Sequence, residues 1–163
     1  MKITRLTLTI TLLLCVGPQS VKAVTTALCP EPALVTETPG AFEIGKATPI
    51  EYSPKAPGAE AAACFLAECW RVPTGLPLPV QANDKPQTPG AVRFAVPATA
   101  EEKLPPEGYV LSVTPTGISV AASDAAGYFY GAQTLRQLVA SAGTGTRNLA
   151  VPNAGTVTVF TPP

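Results

Sequence analysis

The segment 108–139 constrains the fold most, because its hydrophobic periodicity changes along its length from two residues to about 3.6. Residues 109–113 and 118–122 alternate between apolar and smaller or polar side chains, which predicts two strands, each with one buried face. Between them stands Thr114-Pro115-Thr116-Gly117. The fixed φ of proline suits a type I turn, and glycine tolerates the left-handed conformation that follows it. The segment therefore begins with a β-hairpin whose register is set locally.

A helix is predicted directly after this hairpin. Ser123 or Asp124 can accept a hydrogen bond from the free amides of its first turn. Gln133, Arg136 and Gln137 form a polar face. The apolar residues that recur at helical spacing are Ala125, Tyr128, Phe129, Ala132, Leu135, Leu138 and Val139. Because neither the hairpin nor the helix can bury its apolar face alone, we expect the helix to pack on the sheet.

The run EGYVLSVTPTGISVAASDAAGYFYGAQTLRQL, residues 107–138, resembles part of a known family. It looks like the end of the small domain that precedes the catalytic barrel in family 20 glycoside hydrolases, the β-N-acetylhexosaminidases. The family pattern is a Y-x-L-x-V strand, a turn, an I-x-V strand and a D-x-x-G-x-x-Y-G-x-Q-T-L helix. This chain matches the helix pattern at Asp124, Gly127, Tyr130, Gly131, Gln133, Thr134 and Leu135. The P-x-P run at 30–32 and the T-G-L-P-L run at 74–78 resemble earlier parts of the same domain.

This resemblance implies an α+β fold, with a small, mostly antiparallel or mixed sheet and two helices packed on one face. The first helix is predicted at 59–70, where alanine is frequent and Ala62, Phe65, Leu66 and Cys69 recur at helical spacing. Short strands are predicted at 42–44, 50–52, 92–96 and 156–160, and loops at 83–90 and 98–107. Trp70, Tyr128 and Phe129 are expected in the core.

Residues 1–23 have the composition of a cleavable export signal. Lys2 and Arg5 precede an apolar run at 6–16, and cleavage is expected after Ala23. That run is shorter than the ~20 residues that span a bilayer, so no membrane span is predicted. A lipoprotein signal through Cys15 is disfavoured because Leu14 stands where a small residue is usual. The expected organisation is a signal peptide at 1–23, a short linker at 24–27 and one domain at 28–163.

Composition excludes several classes of partner and cofactor. The predicted mature chain has 8 basic residues, which is 11 less the three in the signal, against 11 acidic ones. This balance predicts no binding to nucleic acid. The chain has no histidine, and the spacing of Cys64 and Cys69 is not a zinc pattern. These two thiols are expected to be small buried hydrophobic groups that do not bridge each other, while a disulfide from Cys29 to one of them stays open. No metal or other cofactor is predicted.

The sequence also predicts no catalytic residue. In the family that the chain resembles, the sugar's own acetamido group attacks, and an adjacent Asp-Glu pair on the barrel assists it. No Asp-Glu pair occurs here, and about 140 residues cannot contain a barrel that needs ~250. Glu101 and Glu102 lie between prolines and are interpreted as solvated surface. The glycine-rich run at 143–146 lacks the lysine of a phosphate-binding loop and is interpreted as a connector.

Two functions therefore remain open. The chain is either a non-catalytic accessory domain, truncated or split from a catalytic barrel or paired with a separate hexosaminidase chain, or an independent exported module that binds a glycan or a protein. The polar face of the second helix, or the rim beside it, is a hypothetical docking surface. Gly127 and Gly131 each cost that helix roughly 1 kcal/mol relative to alanine. Close approach of a partner and close approach of the chain's own sheet would both explain that cost.

Overall fold

The computed structural model describes residues 28, 33–36, 41–97, 104–141, 149–152 and 155–159. The two helices among them are α1 (Ala59–Thr74) and α2 (Ala125–Ser141). The strands are β1 (Leu34–Val35), β2 (Ala41–Ile44), β3 (Ile50–Tyr52), β4 (Val80–Ala82), β5 (Val92–Ala95), β6 (Tyr109–Thr114), β7 (Gly117–Ala122), β8 (Leu149–Pro152) and β9 (Gly155–Val159). The predicted signal at 1–23, Cys29, the Glu101-Glu102 pair and the run at 143–146 lie outside the described residues.

Most of these strands form one mixed sheet with the order β1-β9-β6-β7-β5-β3-β4. Neighbours from β1 to β7 in this order are antiparallel, whereas neighbours from β7 to β4 are parallel. The predicted hairpin is β6–β7, with Tyr109 opposite Ala122 and Thr114 opposite Gly117. Strands β2 and β8 form a separate antiparallel pair, which the sequence did not predict. Of the two expected sheet types, the mixed one is confirmed.

Both helices cover the same face of this sheet, as expected. On α1, Glu60 accepts a hydrogen bond from the Tyr52 hydroxyl of β3 at 3.0 Å. On α2, the Tyr128 ring meets the Phe94 ring of β5 edge-on, with 6.4 Å between the ring centroids. The residue before α1, Gly58, lies against Ala125 at the start of α2. The two helices therefore begin side by side at one end of the sheet.

The alternation of burial along the strands shows where the core lies. In β5, Val92 and Phe94 are buried, while the residues between and after them are half-buried. In β6 and β7 the residues on the helix side are again buried. Helix residues complete this core with Leu66, Trp70, Tyr128, Leu135 and Leu138. Each such side chain contributes about 1.5–3 kcal/mol on burial, so the interface between sheet and helices is the main source of stability.

The helices differ from the sequence prediction in two respects. Helix α1 continues to Thr74 and ends at Gly75, whose φ of 66° is left-handed and whose N–H donates to the Arg71 carbonyl oxygen at 2.8 Å. Trp70 and Tyr128 are buried as predicted, but Phe129 is 42% exposed. The prediction of a core position for Phe129 was wrong, because the residue after Tyr128 is turned by about 100° away from the sheet.

Candidate functional site

Most residues of the sequence pattern around α2 contact the hairpin and hold the helix against it. Asp124 is the predicted cap: its Oδ1 accepts the Gly127 N–H at 2.8 Å, and its Oδ2 accepts the Glu107 N–H at 2.7 Å. The hydrogen bonds from Glu107 and then Gly127 lower the pKa of the Asp124 carboxyl. Ser123 instead donates from its hydroxyl to the Pro105 carbonyl oxygen at 3.1 Å. Asp124 therefore fixes the start of α2 to the turn before β6.

The two glycines of α2 face the chain's own sheet. A Cβ on Gly131 would lie 2.5 Å from Cγ1 of Val120, and a Cβ on Gly127 would lie 2.6 Å from the Gly108 carbonyl oxygen. Both glycines are buried. The internal explanation of these glycines is confirmed, and the interpretation that they admit a partner domain is wrong.

A buried hydroxyl pair ties the middle of α2 to β6. The Tyr109 hydroxyl and the Thr134 hydroxyl hydrogen-bond to each other beneath the helix. Burial raises the pKa of Tyr109 to about 12, although the bond to Thr134 acts in the opposite direction. Among the matched positions of the helix pattern, Tyr130 is exposed and Gln133 is half-buried. Tyr130 and Gln133 can therefore contribute to an interaction surface on the outside of α2.

The outward side of the helix pair carries unusually little charge. Within α1 the charged residues are Glu60, Glu68 and Arg71, and within α2 Arg136 is the only one. Arg136 donates from Nε to Oε1 of Gln133 at 2.9 Å. A surface helix normally has a continuous polar face, whereas a helix that is apolar nearly all round is normally buried on all sides. The outward side of the pair therefore has the composition of an interface.

The most apolar part of this side is an aromatic patch formed by Phe65, Phe129 and Tyr130. The Phe129 ring centroid lies 5.1 Å from that of Phe65 and 6.1 Å from that of Tyr130, with interplanar angles of 49° and 59°. Phe129 is 42% exposed and Tyr130 39% exposed. Val72 follows Phe65 by about two helical turns, so it points to the same side, and it is 90% exposed. Clustered exposed apolar side chains of this kind mark interaction sites.

The two thiols of α1 lie on different sides of the helix. Cys64 is exposed beside the aromatic patch, and Cys69 is half-buried. Both are free thiols, so the prediction that they do not bridge each other is confirmed. The prediction that Cys64 is buried was wrong. An alanine-rich helix does not reveal in sequence which of its sides faces the core.

The face of the sheet opposite the helices contains a buried acid that sequence reasoning missed. Glu51 of β3 is fully buried, and its Oε2 lies 3.6 Å from Nη1 of Arg93 on β5. Thr88 donates its hydroxyl to Oε1 at 2.5 Å and its N–H to Oε2 at 3.3 Å. Asn83 donates from Nδ2 to Oε2 at 2.8 Å, and Gln81 from Nε2 to Oε1 at 3.5 Å. No signal in the sequence indicated this site, because the partners of Glu51 follow some 30 or more positions later.

These contacts make Glu51 a charged acceptor at neutral pH. Burial by itself would raise its pKa, but the hydrogen bonds from Thr88, Asn83 and Gln81 outweigh that effect, so the pKa lies below the usual value. A carboxylate whose lone pairs are occupied in this way is poorly suited to proton transfer. Among the described residues, no group of three or more histidine, cysteine, aspartate or glutamate side chains could hold a metal ion. In the same part of the chain, no helix is long and apolar enough to cross a membrane.

The fold and the helix pattern together define a small domain with two helices on one face of a mixed sheet. Residues 25–158 match the family described as glycosyl hydrolase family 20, domain 2. The chain belongs to this family, and the resemblance predicted from residues 107–138 is confirmed. A comparison with functionally curated proteins found no match.

Solved structures of similar fold are much longer than this chain. The chain is 27% identical to the N-acetyl-β-hexosaminidase of Streptomyces plicatus, covering 84% of this chain and 26% of that one, with a TM-score of 0.66. The GH20 β-N-acetylhexosaminidase of Streptomyces coelicolor A3(2) gives 27% identity, the same two coverages and a TM-score of 0.67. The exo-β-N-acetylglucosaminidase of Vibrio harveyi, at 16% identity and a TM-score of 0.64, shares the fold, covering 88% of this chain and 20% of that one. The chain thus spans about a quarter of the length of the Streptomyces enzymes.

Proposed function

We propose that this chain is an exported, non-catalytic accessory domain of a β-N-acetylhexosaminidase-like system. Its task is to dock against a family 20 catalytic domain through the outward side of α1 and α2. Two findings support this role: the chain belongs to domain 2 of the family, and similar domains form about a quarter of longer hexosaminidase chains. Export is proposed from the basic and apolar residues at 1–23, with cleavage after Ala23.

The observation that carries the docking proposal is the low polarity of the outward helix side. Val72 is 90% exposed, and on the same side of the helix pair Phe129 is 42% and Tyr130 39% exposed. Burying one such side chain contributes about 1.5–3 kcal/mol, so a few of them at the centre of an interface suffice to hold two domains together. The polar pair Gln133 and Arg136 lies beside the patch and fits the rim of such an interface.

A second candidate function is glycan binding, because exposed aromatic rings also form sugar-binding platforms. The geometry favours the docking role. A pyranose ring stacks on a flat, exposed aromatic face, whereas Phe65, Phe129 and Tyr130 are tilted by 49° and 59° to their neighbours and share no plane. Tilted rings that contact one another form a compact apolar knob, which suits insertion into a protein surface.

Docking can be tested by calorimetry with a family 20 catalytic domain from the same organism, expressed without its own small domain. Val72→Ser and Val96→Ser are a matched pair, since both valines are exposed but only Val72 belongs to one of the two helices. We expect Val72→Ser and Phe129→Ser to weaken binding by about tenfold or more, corresponding to about 1.4 kcal/mol. Val96→Ser should change the affinity less than twofold. Equal affinities for all three variants, or binding of chito-oligosaccharides at this side instead, would contradict the docking role.

The non-catalytic role predicts that the purified chain does not hydrolyse aryl β-N-acetylglucosaminides. Turnover that persists after host hexosaminidase has been removed would contradict it, and Glu101 and Glu102 would then be the first residues to substitute.

Export predicts that the intact mass of the secreted protein corresponds to a chain that begins at Val24. A mass that includes a diacylglycerol on Cys15 would show a lipoprotein instead.

A further inference from the structure

The connection from β4 to β5 has to cross the strand that lies between them. The sheet order is β5-β3-β4, and all three strands are parallel. A connection between parallel strands must return along the whole strand length, and it is usually a helix packed on the sheet. Here residues 83–90 make the return without a helix or a strand. We call this segment the strap.

The strap lies on the face of the sheet that the helices leave open. In β3, Ile50 and Tyr52 share the helix side, and the Tyr52 hydroxyl reaches Glu60 of α1. Because successive strand residues point to opposite faces, Glu51 points away from the helices. The hydrogen bonds of Glu51 to Asn83 and Thr88 place the strap over it. Glu51 is thus buried because the strap covers it.

The strap is attached to the sheet by two kinds of hydrogen bond, neutral ones and bonds to the Glu51 carboxylate. At its C-terminal end, Gln87 donates from Nε2 to the carbonyl oxygens of Ala91 and Ile118 at 2.8 and 2.9 Å, and the Gly90 N–H donates to the Thr116 carbonyl oxygen at 2.7 Å. These bonds are neutral and continue the pattern of the sheet. The Asn83 side chain and the Thr88 hydroxyl and N–H are instead bound to one charged group, the Glu51 carboxylate, while the Asn83 backbone N–H donates to the Tyr52 carbonyl oxygen at 2.9 Å. Hydrogen bonds to an ionised acceptor are roughly twice as strong as neutral ones.

We propose that the strap is an acid-released cover: neutralising the Glu51 carboxylate frees the Asn83 side chain and Thr88 from the sheet, while the sheet, the helix layer and the neutral bonds at the C-terminal end of the strap stay in place. Release uncovers the guanidinium of Arg93, whose Nη1 is buried without a hydrogen-bond partner and 3.6 Å from Glu51, and whose Nη2 donates to the Asn83 carbonyl oxygen of the strap at 3.3 Å. The opened face then presents a cation that its carboxylate no longer neutralises. This device concerns the face opposite the docking surface and is independent of the proposed function.

The groups around Glu51 give the direction of the pH dependence. Gln81 on β4 and Asn83 and Thr88 on the strap are neutral donors, and Arg93 on β5 is the charged group that faces the carboxylate among its described contacts. These donors hold the folded-state pKa of Glu51 below its ordinary value of 4.5. A depressed acid pKa contributes stability that is present above the unfolded-state pKa and is lost as the pH falls through the folded-state pKa. The strap is therefore closed at neutral pH and opens as the pH falls through the folded-state pKa of Glu51, which lies below 4.5.

Hydrogen exchange followed by NMR tests the proposal, with each amide rate divided by its intrinsic rate at the same pH. The amide of residue 88 reports on the strap, and the Leu111 amide in β6 reports on the sheet. Glu51→Gln at pH 7 should reduce the protection of residue 88 by at least tenfold, because glutamine places an NH₂ group against surrounding donors. Protection of Leu111 should change less than threefold. In the wild-type protein, the protection of residue 88 should fall before that of Leu111 as the pH is lowered from 4.5.

Two further variants keep the test decisive. Asp84 also lies in the strap and forms an exposed 2.9 Å ion pair with Lys55. Asp84→Asn removes this ion pair but leaves the Glu51 contacts intact, so it should change the protection of residue 88 less than threefold. Thr88→Val removes one donor and keeps the pair of Glu51 and Arg93, so it should release the strap at pH 7 even if Glu51→Gln does not fold. The proposal is overturned if residue 88 keeps its protection in Thr88→Val. It is equally overturned if residue 88 and Leu111 lose protection together, because opening would then be global unfolding.

Discussion

Gly131 provides the most direct test of how closely α2 approaches the sheet. The Cβ of an alanine at this position would lie 2.5 Å from Cγ1 of Val120 and 3.3 Å from Cδ2 of Tyr109. Val120 is fully buried in β7, and its branched side chain has few rotamers to choose from. Gly131→Ala therefore forces the helix or the sheet to move.

The change in the free energy of unfolding caused by Gly131→Ala is the sum of two opposed contributions. Alanine in place of glycine stabilises a helix interior by roughly 1 kcal/mol. Adding a methyl group to a filled core costs typically about 1–3 kcal/mol. Because the contact is far shorter than normal van der Waals separation, we expect a net loss of about 1 kcal/mol in the free energy of unfolding, and a lower melting temperature by roughly 3 °C.

Urea denaturation measures this loss, and two further variants separate its causes. Gly45→Ala makes the same chemical change where no atom lies within 4 Å of the new Cβ, so it should change stability by less than about 0.5 kcal/mol. Val120→Ala removes the opposing methyl groups, so the double variant with Gly131→Ala should be more stable than the sum of the single changes by about 1 kcal/mol. If Gly131→Ala raises the stability, or if the double variant is merely additive, the close approach to Val120 is refuted.

Three further predictions concern hydroxyl and thiol groups. Tyr109→Phe leaves the Thr134 hydroxyl without its buried partner and should cost about 1–2 kcal/mol in urea denaturation, whereas Tyr130→Phe at the surface should cost nothing measurable. Because the folded-state pKa of Tyr109 is raised to about 12, its contribution to stability is complete below pH 10 and is lost as the pH rises towards 12. The melting temperature of Tyr109→Phe should therefore fall less between pH 10 and pH 12 than that of the wild-type protein. A maleimide should modify Cys64 in the native protein several-fold faster than Cys69, and equal rates would contradict the orientation given for α1.

The hairpin and α2 could be predicted because their information is local. Residues 109–122 alternate with a period of two around a proline–glycine turn, and the structure has the same strands and the same register. The cap was predicted at Ser123 or Asp124, because capping depends on an acceptor immediately before the first helical turn, and the structure selects Asp124. Both predictions involve residues close together in the chain, where spacing alone fixes the geometry.

The surfaces could not be predicted in this way, because they depend on contacts between distant segments. Helical spacing placed Phe129 on the core side, but in the structure Phe129 is 42% exposed and its ring contacts Phe65 of α1. The pairing of β2 with β8 joins segments about 100 residues apart, and no local pattern near either strand indicates it.

The sequence by itself determined the family, the hairpin, the register of β6–β7 and the absence of histidine and of an Asp-Glu pair, since these are properties of adjacent residues or of composition. Only the tertiary structure decided that Gly127 and Gly131 serve the chain's own sheet, because a glycine in sequence does not show which backbone approaches it. Only the tertiary structure decided that Glu51 is a buried acceptor for the strap. Its burial depends on a crossing from β4 to β5 over β3, and the order of strands in a sheet is a property of the whole fold.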